Sequence, residues 1–236
     1  MKKEERIQFL KDNAFSFTLI IIAAILITWT GIAFKQNVFR ILPLYISLII
    51  GMLQAKANRY ANLIGSINCL IYTAVYLGFG LYATAASTLL ISCPMQLITF
   101  IRWNKRAYKH STEFRSLNGK QWVILIAAFV TSFLVLLAVL TATGSSYRLV
   151  DNGYTLVGIF VSILTMLSFR EYTWFMIGTG IMSVALDLTL MQDYPAQITY
   201  LIYSFYSLIC IGRQFFSVRK LFAEQKEEAS SLQSVH

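Results

Sequence analysis

The stretch AFSFTLIIIAAILITWTGIAF, residues 14–34, decides the fold, because it contains no Asp, Glu, Lys or Arg. About 20 mostly apolar residues let a helix cross the hydrocarbon core of a bilayer, so this stretch predicts a membrane-spanning helix. The rest of the chain agrees: 57% of its 236 residues are hydrophobic and 13% are charged, against about 45–50% and about 25% in soluble domains. This composition excludes a soluble globular domain and a disordered chain.

Apolar runs of similar length recur along the chain and predict eight transmembrane helices. They cover residues 14–34, 38–55, 61–78, 82–103, 121–142, 152–169, 173–191 and 196–217. The first run is longer than the apolar core of a signal peptide, so we expect it to be retained. Because the runs are continuous rather than alternating, a β-barrel is excluded. The predicted fold class is an all-α membrane protein.

The positive charges are distributed unevenly between the two sides that eight crossings would define. Of the 20 Lys and Arg residues, 17 fall on the side of the two termini, and only Lys35, Arg40 and Arg148 fall on the other. Since positively charged loops remain in the cytoplasm, we expect a multi-pass protein of the cell (inner) membrane with both termini cytoplasmic.

The spacing of the helices predicts an extra N-terminal helix followed by a 3+1+3 arrangement with two parallel repeats. In each triplet a Tyr precedes an Arg at the cytoplasmic end, Tyr82 before Arg102 and Tyr194 before Arg213. Repeats of this kind place a transport site at their interface near mid-membrane. The predicted units are residues 1–36 (N-terminal segment and extra helix), 37–104 (first repeat), 105–151 (basic cytoplasmic loop and linker helix), 152–218 (second repeat) and 219–236 (polar tail).

Polar and aromatic side chains at bilayer depth are the candidate site residues, since such groups usually face a cavity or a neighbouring helix. The candidates are Asn68, Tyr72, Gln96, Phe100, Tyr203 and Tyr206. Amides, phenols and flat rings suit a flat, hydrogen-bonding organic solute. The alternative is that the amides bond neighbouring helices and that the tyrosines only pack.

Three further residues have more than one interpretation. Asp187 is the acidic residue inside a predicted span and is either a proton carrier or a hydrated boundary group. Pro94 interrupts the fourth span beside Gln96 and either supports gating or merely bends the helix. His110, in the basic loop, is a ligand, a proton carrier or a solvated loop residue.

The sequence offers no signature of an enzyme or a cofactor site. It lacks the nucleotide-binding, zinc-protease and nucleophile-elbow motifs and has only two histidines. Its three cysteines lie in apolar runs, which argues against disulfides or a metal cluster. The net charge of +9 is spread between the spans, so it does not indicate nucleic-acid binding. We expect no enzymatic activity, no cofactor and no metal.

The segment from Asn68 to Lys109 resembles the PnuC-type vitamin transporters. The resemblance rests on the spacing of Tyr72 and Tyr82, the Pro94 step and the aromatic helix end running into Trp103-Asn104-Lys105. It adds Trp103 to the candidate substrate-binding residues. Phe100 and Gln96 stand where many members have Trp and Asn. The resemblance implies a SWEET-like fold and facilitated diffusion of nicotinamide riboside or a related vitamin, which a cytoplasmic kinase then traps.

The leading hypothesis is therefore membrane uptake of a small vitamin-like solute with alternating access. The protein would act in the lipid bilayer, alone or as a homo-oligomer. Two alternatives remain open. One is a proton-coupled transporter of another small solute such as thiamine. The other is a non-transporting membrane subunit of a larger complex.

Overall fold

The computed structural model describes residues 3–78, 85, 88–142 and 148–233, and eight α-helices occupy most of them. They are α1 (Lys3–Ala33), α2 (Val38–Ala55), α3 (Tyr60–Gly78), α4 (Cys93–Lys105), α5 (Gly119–Ala142), α6 (Arg148–Met166), α7 (Tyr172–Asp193) and α8 (Ile198–Gln233). Within the described ranges, five helical segments are long and apolar enough to cross a membrane. They are Asn13–Ala33, Val38–Ala55, Gly119–Val139, Tyr172–Asp193 and Pro195–Leu232. The predicted all-α membrane class is confirmed.

The first helix of each predicted repeat ends in the same way. After α2, Ala57 has a left-handed backbone with φ of 51°, and after α6, Ser168 has φ of 60°. In both turns two backbone N–H groups bond back to the last helical carbonyls, which forms a Schellman motif. The bonds are Ala57 N–H to Gln54 O (2.7 Å), Asn58 N–H to Leu53 O (3.0 Å), Ser168 N–H to Thr165 O (3.0 Å) and Phe169 N–H to Leu164 O (3.0 Å). Each motif turns the chain sharply into the next helix.

Six helices pack into a closed ring. Going round it, α2 contacts α3, α3 contacts α4, α4 contacts α6, α6 contacts α7, α7 contacts α8, and α8 contacts α2. Outside the ring, α1 packs against α2 and α8, and α5 packs against α6. The apolar side chains of α5 are largely exposed, Val123 and Ile124 among them, as expected for a helix that faces lipid.

A wide helical turn precedes α4. Residues Thr88–Ser92 form a π-helical turn, and Pro94 follows within the first turn of α4. Proline has no N–H and its ring clashes with the carbonyl four residues earlier, so the chain cannot continue as a regular α-helix. The extra residue of a π turn relieves this clash. Tyr82 lies outside the described residues.

The basic connector and the end of the chain differ from what the sequence suggested. The connector between α4 and α5 forms a small hairpin of β1 (Ala107–Tyr108) and β2 (Ser111–Thr112). Residues 219–233, part of the predicted polar tail, continue α8 as a helix. The hairpin and this extension stabilise each other, because Gln225 accepts from the Phe114 N–H (3.0 Å) and donates to the Thr112 carbonyl (2.9 Å).

Candidate functional site

A cavity of about 160 Å³ lies at the end of the ring where α2 and α6 end and α3 and α7 begin. Every helix of the ring supplies at least one lining residue, so the cavity lies between the two predicted repeats. Its lining comprises Gln54, Ala57, Asn58, Ala61, Asn62, Met95, Gln96, Thr99, Trp103, Val161, Ser162, Thr165, Tyr172, Met176 and Gln214. Amides, hydroxyls and aromatic rings are all present, and no charged side chain is.

The aromatic wall of the cavity consists of Trp103 and Tyr172. Both side chains are buried, and their ring centroids lie 6.4 Å apart. The indole Nε1 of Trp103 donates to the Thr165 carbonyl (2.8 Å), which joins α4 to α6. Phe114 of the connector packs edge-on against Trp103 at 5.7 Å. These contacts hold both rings rigidly in the cavity wall.

Gln214 of α8 carries the most informative polar atom in the cavity. Its Nε2 donates to the Tyr172 hydroxyl (2.8 Å), whereas its Oε1 is buried and has no hydrogen-bond partner. Buried carbonyl oxygens are nearly always hydrogen-bonded. The Oε1 atom is therefore available to accept from a hydroxyl or amide N–H of a bound solute.

Gln96 of α4 lines the same cavity and lies against α3. Its Nε2 contacts the Cys69 sulfur at 3.2 Å, which is a weak acceptor. A Cβ on Gly65 would come within 1.8 Å of the Gln96 Oε1. The absence of a side chain at Gly65 thus makes room for the Gln96 amide. Because the thiol is a weak acceptor, the N–H groups of Gln96 remain available to a stronger one.

The structure brings only two of the sequence-predicted binding residues, Gln96 and Trp103, into this cavity. Asn68 donates to the Ser47 hydroxyl (3.0 Å) and to the Pro43 carbonyl (3.3 Å), so it joins α3 to α2. The Phe100 ring packs against Tyr60 with centroids 5.7 Å apart.

Three predicted tyrosines also lie outside the cavity lining. Tyr206 is buried in the core between α1, α2 and α8 and donates to the Leu48 carbonyl. Tyr203 packs 6.4 Å from it. Tyr72 is partly buried in α3 and makes a contact of its own there.

Asp187 lies buried between α7 and α8, away from the residues that line the cavity. Its two carboxylate oxygens accept from the Ser204 hydroxyl and from the Gln197 Nε2 (2.9 Å). The interpretation as a hydrated boundary group is wrong, because the side chain is buried and bonded to protein. No group of His, Cys, Asp and Glu suited to a metal ion occurs within the described residues.

Sequence reasoning missed Asn62, Thr99, Tyr172 and Gln214. Asn62, Thr99 and Gln214 lie near the basic ends of the predicted spans 61–78, 82–103 and 196–217, and Tyr172 just precedes the span 173–191. The predicted binding residues were instead mostly those halfway through a span. One signal was present: Gln214 is an uncharged amide inside the predicted span 196–217, beside Arg213.

Comparisons with known proteins agree with this architecture. The family model described as nicotinamide mononucleotide transporter matches residues 37–213. A curated relative, the nicotinamide riboside transporter PnuC of Neisseria mucosa, is 27% identical over 139 residues, which span 56% of this chain and 52% of that protein. The alignment thus covers about half the length of this curated relative. A crystal structure described as the vitamin B3 transporter PnuC superposes with a TM-score of 0.73 at 19% identity, covering 89% of this chain and 91% of that one.

Proposed function

The chain belongs to the nicotinamide mononucleotide transporter family, of the PnuC type, and from this premise we propose that it takes up nicotinamide riboside or a closely related vitamin. The family consists of transporters rather than enzymes. The observation that carries the proposal is the cavity between the repeats, with its aromatic wall and the unpartnered carbonyl of Gln214. A ring stacked on Trp103 or Tyr172, with a hydroxyl or amide bonded to Gln214 and Gln96, satisfies this lining.

We propose eight crossings in a 3+1+3 arrangement with parallel repeats. The ring supports this arrangement. In two parallel repeats α2 corresponds to α6 and α8 corresponds to α4, so the contact of α2 with α8 has its counterpart in the contact of α6 with α4. The two Schellman turns support it as well, since Ala57 and Ser168 lie 111 positions apart (168 minus 57). The same shift relates Trp103 to Gln214 and Gln54 to Thr165, and all four line the cavity.

Transport in this proposal is facilitated diffusion with alternating access. The cavity lies at the end of the ring that carries most of the positive charge, which corresponds to the cytoplasmic side if the termini are cytoplasmic. Rocking of one triplet against the other would expose the same side chains to the opposite side. The chain has no nucleotide-binding motif, so accumulation of the solute requires a later reaction, such as phosphorylation by a cytoplasmic kinase.

Proton-coupled transport is the second candidate, and the burial of Asp187 is the observation that favours it. Intramembrane carboxylates often carry protons in transporters. Its two neutral donors, Ser204 and Gln197, would remain compatible with either protonation state.

Uptake of labelled nicotinamide riboside and of thiamine into proteoliposomes tests the substrate. We expect Gln214→Met to raise the KM for nicotinamide riboside about tenfold, because a buried hydrogen bond to the solute is lost. Gln121→Met is the matched control, because this amide on α5 does not line the cavity. Absence of nicotinamide riboside uptake by the unmodified chain would refute the substrate, and an unchanged KM for Gln214→Met would refute the site.

A further inference from the structure

The connector and α8 enclose a second cavity, of about 310 Å³, at the basic end of the molecule. Its lining includes three lysines, one glutamate and one histidine. These residues are Lys56, Lys109, Lys220, Glu224 and His110, and together they are called the basic pocket below. The pocket shares the α2–α3 turn with the central cavity, because Lys56 lines the pocket and the adjacent Ala57 lines the cavity.

One face of α8 forms a wall of the basic pocket. Ser217, Lys220, Leu221 and Glu224 line it, and their spacing of three and four residues places them on the same side of a helix. Leu221 is buried in an apolar cluster with Trp103 and other residues, which fixes this side of α8 against the rest of the bundle. The polar side chains of the face are thereby held at the edge of the pocket.

The opposite wall of the pocket is also fixed. His110 Nε2 lies 2.8 Å from the Lys56 carbonyl, and the Arg59 N–H donates to the His110 carbonyl (3.1 Å). A carbonyl can only accept, so Nε2 carries the proton in this contact. These two bonds attach the turn of the hairpin to the α2–α3 turn. The cavity is therefore bounded by three elements that are bonded to one another.

The positive charges of the pocket exceed the negative charge. Glu224 accepts from Lys109 Nζ at 2.7 Å, and this hydrogen bond raises the pKa of Lys109, so the ammonium group stays charged at neutral pH. Lys220 is exposed and forms no ion pair with any described residue. Lys56 adds a third ammonium group, which also donates to the Asn13 side chain of α1. With three lysines and one glutamate, the pocket carries a net positive charge.

We propose that the basic pocket binds the phosphate group of an anionic ligand. Lysine ammonium groups bind phosphate as point charges, and basic pockets at the cytoplasmic ends of transmembrane helices are suited to anionic headgroups. The pocket lies where α2 ends and where α8 extends past its apolar part, which is the expected depth of phospholipid phosphates. Two sources share this chemistry, an anionic phospholipid and a small soluble phosphate compound.

The experiment measures binding by the full-length purified chain with two probes. Native mass spectrometry counts bound phosphatidylglycerol against phosphatidylcholine, and titration with glycerol 3-phosphate in detergent tests the soluble source. We expect Lys220→Glu to weaken binding of the anionic probe about fivefold or more, since one attractive charge becomes repulsive. Lys120→Glu is the matched control, because Lys120 is exposed at the start of α5 and does not line the pocket.

Each outcome decides the proposal. Preferential binding of phosphatidylglycerol alone assigns the pocket to a lipid, and saturable binding of glycerol 3-phosphate assigns it to a soluble phosphate; both support the proposal if Lys220→Glu weakens them. Equal weakening by Lys220→Glu and Lys120→Glu would overturn it, as would the absence of binding by either probe. Lys220→Gln is a second variant that removes the charge without reversing it, and it should give a smaller loss in the same direction.

Discussion

Gln214 and Asn68 show how the use of a buried amide depends on its neighbours. Both leave a buried carbonyl oxygen without a hydrogen-bond partner, but Asn68 donates to Ser47 and Pro43 across the α2–α3 contact, whereas Gln214 donates to Tyr172 and lines the central cavity. Both are amides within apolar helices and look alike in the sequence. The difference arises from which helix lies opposite, and that depends on the packing of the whole ring.

Asp187→Asn separates facilitated diffusion from proton coupling. Because this carboxylate lies outside the cavity lining and is already bonded to Ser204 and Gln197, we expect the variant to keep the wild-type uptake rate within about twofold. We also expect neither protein to respond to an imposed pH gradient. Uptake of labelled solute into proteoliposomes at equal and unequal pH measures both quantities.

Asp193→Asn, at the exposed end of the same helix, controls for the loss of a negative charge. The proton-coupled alternative would instead be favoured if a pH gradient accelerated wild-type uptake and Asp187→Asn alone abolished that acceleration. One stability effect is expected in either case: an amide must place its NH₂ group toward Ser204 or Gln197, which costs on the order of 1 kcal/mol.

At the residue scale, the sequence identified part of the cavity. Trp103 and Gln96 were found because a tryptophan at a helix end and an amide beside Pro94 are conspicuous in an apolar run. Tyr206, predicted as a binding residue from its depth in the span, lies in the core outside the lining of this cavity. Depth does not specify which side of a helix faces the cavity. The Tyr206 ring packs against Gly51 of α2, and a Cβ on Gly51 would lie only 2.8 Å from the Tyr206 Cε1.

Helix boundaries were predictable wherever local chemistry determines them. The helix α2 covers Val38–Ala55 as predicted, since Asn37 accepts the Phe39 N–H at its start and the Schellman turn closes its end. The extension of α8 was not predictable from hydropathy, because residues after 217 are polar. Tertiary bonds, such as that of Tyr108 to Glu228 (2.7 Å), join this extension to the connector.

Pro94→Ala tests whether the wide turn before α4 contributes to transport. Alanine restores an N–H and removes the ring clash, so the segment Thr88–Ser92 would gain a regular α-helical path. We expect the maximal uptake rate to fall about fivefold or more, while the KM changes less than about twofold, because Pro94 does not line the cavity. Pro195→Ala, in the short 3₁₀ turn before α8, is the control. An unchanged maximal rate in Pro94→Ala would show that the turn only accommodates the proline.

Across the whole molecule, the ring joins the two predicted triplets through two contacts, α2 with α8 and α4 with α6. The contact of α4 with α6 also involves residues of the cavity, since Trp103 of α4 bonds the Thr165 carbonyl of α6. The sequence predicted the triplets from spacing alone. It could not predict the order of packing, because apolar faces in lipid pack by shape rather than by an obvious periodic pattern.

Orientation in the membrane is the last property that follows from the whole chain, since it depends on the sum of the basic residues on each side. We expect a thiol at Lys120→Cys to react with a membrane-impermeant maleimide only from the cytoplasmic side, and one at Lys35→Cys only from outside. Both lysines are exposed, so the substitutions should leave the fold intact.

The unmodified chain measures the background from Cys69, Cys93 and Cys210, of which Cys69 and Cys210 are buried. Labelling of both variants from the same side would contradict an odd number of crossings between the two positions. Labelling of Lys120→Cys only from outside and of Lys35→Cys only from the cytoplasm would instead place the cavity on the outer side. In that case the central cavity would be the entry state of the uptake cycle, and the basic pocket would face the outer leaflet.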